Sequence, residues 1–211
     1  MHAELMSRQN AVRVFLASFL FGGAPLLILH GMLLFGFGSW EIRGAEVLVV
    51  PGLAGLVIGP LSLPFLFPVQ TRSAAMVVAL SGFSLLFSSI VCGNIGNWMR
   101  MQAFAFAAER ATPLVAAIKR FETENARPPS SFAEVVPHYL PALPKGLPPL
   151  ELVSGEKTAK DFWGNPWVLQ ANVGTGILNW DVFVYFPLQN YPKEGFGGVR
   201  ETVKDWAYYH E

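Results

Sequence analysis

Three long apolar runs lead the chain, and a mixed pattern follows them. Residues 14–38, 47–69 and 74–97 contain no Asp, Glu, Lys or Arg. Each run exceeds the ~20 apolar residues that cross a bilayer core of ~30 Å. They predict three transmembrane helices in a membrane domain spanning 1–98. Beyond it, Phe104, Ala108, Ala111, Val115 and Ile118 recur at alternating spacings of four and three, with Leu114 and Phe121 beside them. That spacing predicts a helix with one apolar stripe. Thr112-Pro113 fits an N-cap followed by proline and is expected to mark a kink or a restart. Arg127 and the double proline after it should end the helix. Ser131 and Glu134 form a capping-box pair, predicting a short helix that Pro137 stops. The prolines up to Pro149 favour extended chain.

The period then changes to two. "PWVLQAN" and "GILNWDVFVYF" flank Val173-Gly174-Thr175-Gly176, which predicts a hairpin. Leu178, Trp180, Val182, Val184 and Phe186 should share one face, expected to cover the long helix. A last strand is expected over Val199–Tyr209, with Trp206 and Tyr208 on a common face. The predicted fold is an α-helical membrane domain of three transmembrane helices followed by a small α+β domain at 99–211, a long helix packed on an antiparallel sheet.

Inside the apolar half, Pro51, Pro60, Pro64 and Pro68 interrupt the second run. Each internal proline removes a helix hydrogen bond. Neighbouring helices, hydroxyls or 3₁₀ turns usually satisfy the freed groups. Ala74, Ser81, Ser84, Ser88 and Cys92 place small residues on one face of the third run, suited to close helix packing. His30 is the imidazole within the spans, an ionisable group at membrane depth that a single backbone carbonyl can satisfy. Together the broken second run and His30 form the alternative reading, a small transporter or channel-associated subunit.

Charge sets the orientation and removes several functions. The chain has 211 residues, 52% hydrophobic and 14% charged, with zero formal net charge. From Arg100 onward there are 11 basic and 12 acidic residues, without a basic run. Nucleic acid, which needs clustered Lys and Arg, is therefore not an expected partner. Arg8, Arg13 and Arg72 fall on one side of the three-span arrangement; Arg43, set between acids, and Arg100 fall on the other. The positive-inside bias then predicts a cytoplasmic N-terminus and an extracytoplasmic C-terminal domain. The first run is longer than the ~7–15 residues of a signal-peptide core and is expected to remain as a span. With Cys92 the only cysteine, no intrachain disulfide is expected.

Catalytic constellations are missing from the sequence. It contains neither a G-x-S-x-G elbow, an H-E-x-x-H pair, nor a phosphate-cradling glycine loop. His138, between prolines, is expected at the surface. "GFGG", Gly195 to Gly198, is expected to make a tight loop. Asp161 should initiate a turn and Asp181 should lie on the exposed side of its strand. No catalytic residue, cofactor or metal is expected. The aromatic set Trp163, Trp167, Trp180, Tyr185, Trp206 and Tyr208 is expected to be core, with a stacking platform for a glycan or peptide as the other reading.

The stretch "AAIKRFETENARPPSSFAEVVPHYLPAL", Ala116 to Leu143, followed by "DFWGNPW", Asp161 to Trp167, resembles the soluble domain of type II secretion pseudopilins, the major one especially. The resemblance covers about residues 100–186 and rests on the order of motifs: a helix end, a proline segment, a short helix, a "YLP" stop and a "DPWGNPY"-like entry to a hairpin. It implies an N-terminal helix laid on a small sheet, with both indoles of the corner buried against the helix, and contact with protein partners of a secretion or pilus-like assembly. The three-span membrane half is not part of the resemblance and suits a fixed scaffold or sensor better than a filament subunit. The family's major member holds calcium in its C-terminal loop. The oxygen donors available here are Glu194, Glu201 and Asp205, fewer than calcium's six to eight, and solvated loop charges are expected in their place.

Overall fold

Among the described residues, three helices are long and apolar enough to cross a membrane: Arg8–Leu34, Val47–Leu66 and the segment opening Arg72–Asn125. The computed structural model describes residues 6–37, 39–41, 45–174 and 180–210. Two units divide the chain, Met1–Met32 with Gly44–Arg100, and Leu33–Arg43 with Met101–Glu211. The linker after the first helix thus groups with the second unit. Arg43, used for orientation, lies outside the described residues, as do Thr175, Gly176 and Leu178 of the predicted hairpin.

In the first unit, helix α1 (Arg8–Leu34), α2 (Val50–Ser62) and the start of α3 (Arg72–Asn125) pack through small residues. The prolines of the second run fall where helix geometry already changes. Two 3₁₀ turns, Ala45–Val49 and Leu63–Leu66, bracket α2. Pro51 sits in the first turn of α2 and Pro64 in the first turn of the second 3₁₀ segment, where a missing N–H costs nothing. Pro60 lies inside α2.

Gly52, Gly55 and Gly59 form the buried face of α2. A Cβ added at Gly55 would stand 2.3 Å from the Gly82 carbonyl oxygen of α3. On the α1 side, a Cβ at Gly22 would meet Ser88 Oγ at 2.4 Å, and one at Gly23 would meet Cys92 Sγ at 2.4 Å. Ser84 Oγ donates to the Phe15 carbonyl at 2.7 Å. The expected stripe is therefore only partly right. Ser84, Ser88 and Cys92 are buried, Ser81 is half-buried and Ala74 is exposed. One helix here serves two neighbours, and a second row through Ala75, Ala79 and Gly82 is buried as well.

The second unit is a six-stranded antiparallel sheet with the C-terminal part of α3 on one face. Its strands are β1 (Glu151–Ser154), β2 (Trp167–Asn172), β3 (Val182–Tyr185), β4 (Glu194–Gly195), β5 (Gly198–Val203) and β6 (Trp206–His210), in the order β1-β2-β3-β6-β5-β4. A single helical turn, α4 (Thr158–Asp161), stands between β1 and β2. The predicted helix stripe is buried throughout, from Phe104 at 0% exposure to Phe121 at 5%. Phe104, at its N-terminal end, lies 4.9 Å from the Phe183 ring and 4.8 Å from Tyr208. Trp40 closes over it at 5.5 Å.

Several expectations need correction. The sheet meets the helix with Phe183 and Tyr185, not with Trp180, Val182, Val184 and Phe186. Both faces of β3 are apolar, and a period of two cannot say which face gains the helix. The strand expected over Val199–Tyr209 is two strands, because Lys204 at φ 56° turns the chain back between them. Thr112-Pro113 does not restart the helix: α3 runs unbroken to Asn125 with Pro113 inside it. Ser131 makes no cap bond, and Phe132–Glu134 is a 3₁₀ turn. Glu134 instead accepts from Ser130 N at 2.6 Å and from both Arg127 Nη atoms at 3.0 and 2.8 Å.

The Arg127 guanidinium and the Ser130 amide hold the Glu134 carboxyl down at about 2. A depressed carboxylate contributes stability above the ordinary carboxylate range, and the contribution is lost as pH falls through the folded-state value. Glu134→Gln is therefore expected to flatten the decline of the thermal midpoint between about pH 4.5 and 2, read by circular dichroism across that window. An unchanged acid slope would show that the pair carries no linkage.

Candidate functional site

The "DFWGNPW" stretch is a rigid corner between α4 and β2. Asp161 ends the single helical turn, and the turn over Phe162–Gly164 follows it directly. Trp163 at φ 50° and Gly164 at φ 86° then reverse the chain. Glycine takes that conformation freely, but a bulky residue does so only against a steric cost. Asn165, fully buried, holds the geometry. Its Nδ2 donates to the Phe162 carbonyl and to Asn190 Oδ1, each at 2.7 Å, and its Oδ1 accepts from Leu188 N at 3.1 Å. Asn190 Nδ2 in turn donates to the Trp163 carbonyl at 2.6 Å. Two amides thus tie the corner to the loop after β3.

The two indoles of the corner separate. Trp167 is buried under α3, its Nε1 donating to Glu122 Oε2 at 3.0 Å. Trp163 was expected to join it but stays 44% exposed on the other side of the sheet, 5.7 Å from Phe186 and 5.9 Å from Phe196. Its positive φ aims the ring outward, which a strand-like reading of the motif cannot anticipate. Leu188, pinned by Asn165, is 56% exposed. The surface therefore offers an indole and a leucine on a backbone that cannot relax easily.

Tyr191 supports this loop from below. Its hydroxyl accepts from Phe186 N at 2.9 Å and donates to the Asp205 carbonyl at 2.7 Å. Burial pushes the hydroxyl well above the ordinary phenol range, so it stays a donor. Tyr191→Phe strands both backbone groups. It is expected to cost about 1–3 kcal/mol, seen as a lower unfolding midpoint with an unchanged far-ultraviolet spectrum.

The other sequence candidates are scattered. His30 is buried, with Nδ1–H donating to the Leu26 carbonyl at 2.8 Å. Its ring packs at the Gly96 position of α3, and the local carbonyl is its partner. Glu194, Glu201 and Asp205 sit on β4, β5 and the following turn; Glu201 approaches His210 at 3.7 Å. Among the described residues no three His, Cys, Asp or Glu side chains converge as a metal site. His138 is exposed. Asp181, expected on the exposed side, is 2% exposed and accepts from Tyr208 Oη at 2.7 Å, because odd-numbered residues of this arm face α3. Within "GFGG", Phe196 at φ 54° and Gly197 at φ 83° make the tight turn between β4 and β5. Of the aromatic set, Trp167, Tyr185, Trp206 and Tyr208 are core, while Trp163 and Trp180 are exposed.

Compared with protein-family models, with curated protein sequences and with solved structures, the chain matches none.

Proposed function

We propose that this is a non-enzymatic integral membrane protein of a bacterial inner membrane. Its N-terminus is cytoplasmic, and its periplasmic, pseudopilin-like α+β domain makes contact with a protein partner of a secretion or pilus-like assembly. One observation carries the contact reading: Trp163 is held exposed at a strained backbone angle by the Asn165–Asn190 amide pair, and Asn165 also bonds the backbone of exposed Leu188. Strain retained at the surface points to use, and tryptophan is enriched among residues that dominate protein interfaces. The resemblance of "DFWGNPW" and the proline segment to pseudopilins supplies the kind of partner; function taken from that likeness is analogy.

Crosslinking from position 163 in native membranes, followed by purification, tests the reading. Recovery of secretion or pilus components is the expected result, and a clean uncrosslinked monomer would overturn it. A reporter active only in the periplasm, fused after Glu211, should be active; activity of a cytoplasmic reporter there would reverse the orientation.

A further inference from the structure

The sheet face turned away from α3 carries a groove that the contact reading does not use. It measures about 430 Å³, and its lining includes Glu151, Gln170, Asn172, Trp180, Val182 and Phe196. That volume lies within the ~300–1,000 Å³ of small-ligand sites. Gln170 and Asn172 are two apart on β2 and so share this face. Glu151 is paired opposite Gln170 on β1, and Gln170 Nε2 donates to its Oε2 at 3.3 Å. Asn172 Oδ1 accepts from Gly174 N at 3.2 Å, which fixes its amide. Trp180 is 65% exposed, the most exposed tryptophan among the described residues. Phe196, on its strained turn, packs onto Tyr209 at 5.1 Å and forms an apolar wall.

We propose that this groove binds a neutral or amino-bearing oligosaccharide. The chemistry of the lining selects the class. The Glu151 carboxylate can accept hydrogen bonds from hydroxyls, and the Gln170 and Asn172 amides can both donate and accept them. A flat, exposed indole suits the C–H face of a pyranose, since it is apolar and broad with one polar tip. Among the described residues that line it none is Lys, Arg or His, and the Glu151 carboxylate makes the lining unfavourable to phosphates, nucleotides and acidic glycans. An acyl chain would have to cover Gln170 and Asn172 without bonding them, at a desolvation cost. An extended peptide would instead pair its backbone along the open edge of β1.

The test uses the full chain in a detergent without a sugar headgroup. Chitotriose, cellotriose and maltotriose are titrated by calorimetry and by indole fluorescence. Saturable binding of at least one is expected. Trp180→Ala should weaken it at least about tenfold, and Gln170→Ala should weaken it too, while Val199→Ala, exposed on β5 outside the groove, leaves it unchanged. Circular dichroism confirms that each variant is folded. Binding by none of the three sugars, or binding that survives Trp180→Ala, or binding only of polygalacturonate or peptide, overturns the proposal. Crosslinking from position 163 reports separately on the protein contact, so either reading can fail alone.

Discussion

Gly82→Val is expected to drive α2 off α3 and leave little monodisperse protein. A Cβ at Gly82 would lie 2.6 Å from Gly59 N and 2.7 Å from Gly59 Cα. Those are backbone atoms of a facing helix, so no side chain can swing aside to relieve the overlap. Ordinary overpacking costs about 1–3 kcal/mol; here the helices must separate, and every small-residue contact along α2 weakens with them. Membrane helices gain their association from such close packing, because lipid supplies no hydrophobic drive between them. Gly31 is the control, since nothing lies within 4 Å of a Cβ there. Gly31→Ala should be tolerated, with helix propensity favouring it by up to about 1 kcal/mol. Gel filtration and the thermal midpoint of the solubilised protein measure both. A Gly82→Val protein that elutes and melts like the parent would refute the α2–α3 contact.

Trp206→Ala should cost about 3–5 kcal/mol, as large aromatic truncations in cores do. The indole is 1% exposed and stacks on Phe183 at 4.7 Å with rings 10° apart, with Tyr185 at 5.3 Å. Its removal empties the layer between sheet and helix and unstacks Phe183 from its neighbour. Its Nε1 has no hydrogen-bond partner among the described residues. Trp206→Phe therefore keeps much of the stacking while discarding an unsatisfied donor, and should cost far less than the alanine. Chemical denaturation followed by near-ultraviolet dichroism separates the two. Equal losses would show that the ring's volume is not what the layer needs.

Much of this architecture is written locally. The helix stripe from Phe104 to Phe121 was readable because one helix meets one sheet, so spacing alone reveals its buried face. The Ser131–Glu134 capping box failed by one residue: Arg127 recruits Glu134 into a bidentate pair and leaves Ser130, not Ser131, as its neighbour. Trp163 and Trp167 look alike in the sequence. They differ because the positive φ at Trp163 rotates the chain between them, sending one ring to α3 and the other to solvent. The groove was invisible for a similar reason. Glu151, Gln170 and Trp180 come from separate segments that only strand pairing brings together.

Reading along the chain is enough to tell which stretches suit hydrocarbon and which suit water, and where helical period yields to strand period. Those properties depend on neighbours along the chain, through run length and spacing. Packing alone settles which face of β3 meets α3, which glycines let α2 touch α3, that Asp181 is buried, and that Trp163 and Trp180 remain outside. Each of those outcomes depends on contacts between residues far apart in the chain, where an apolar face carries no mark of its partner.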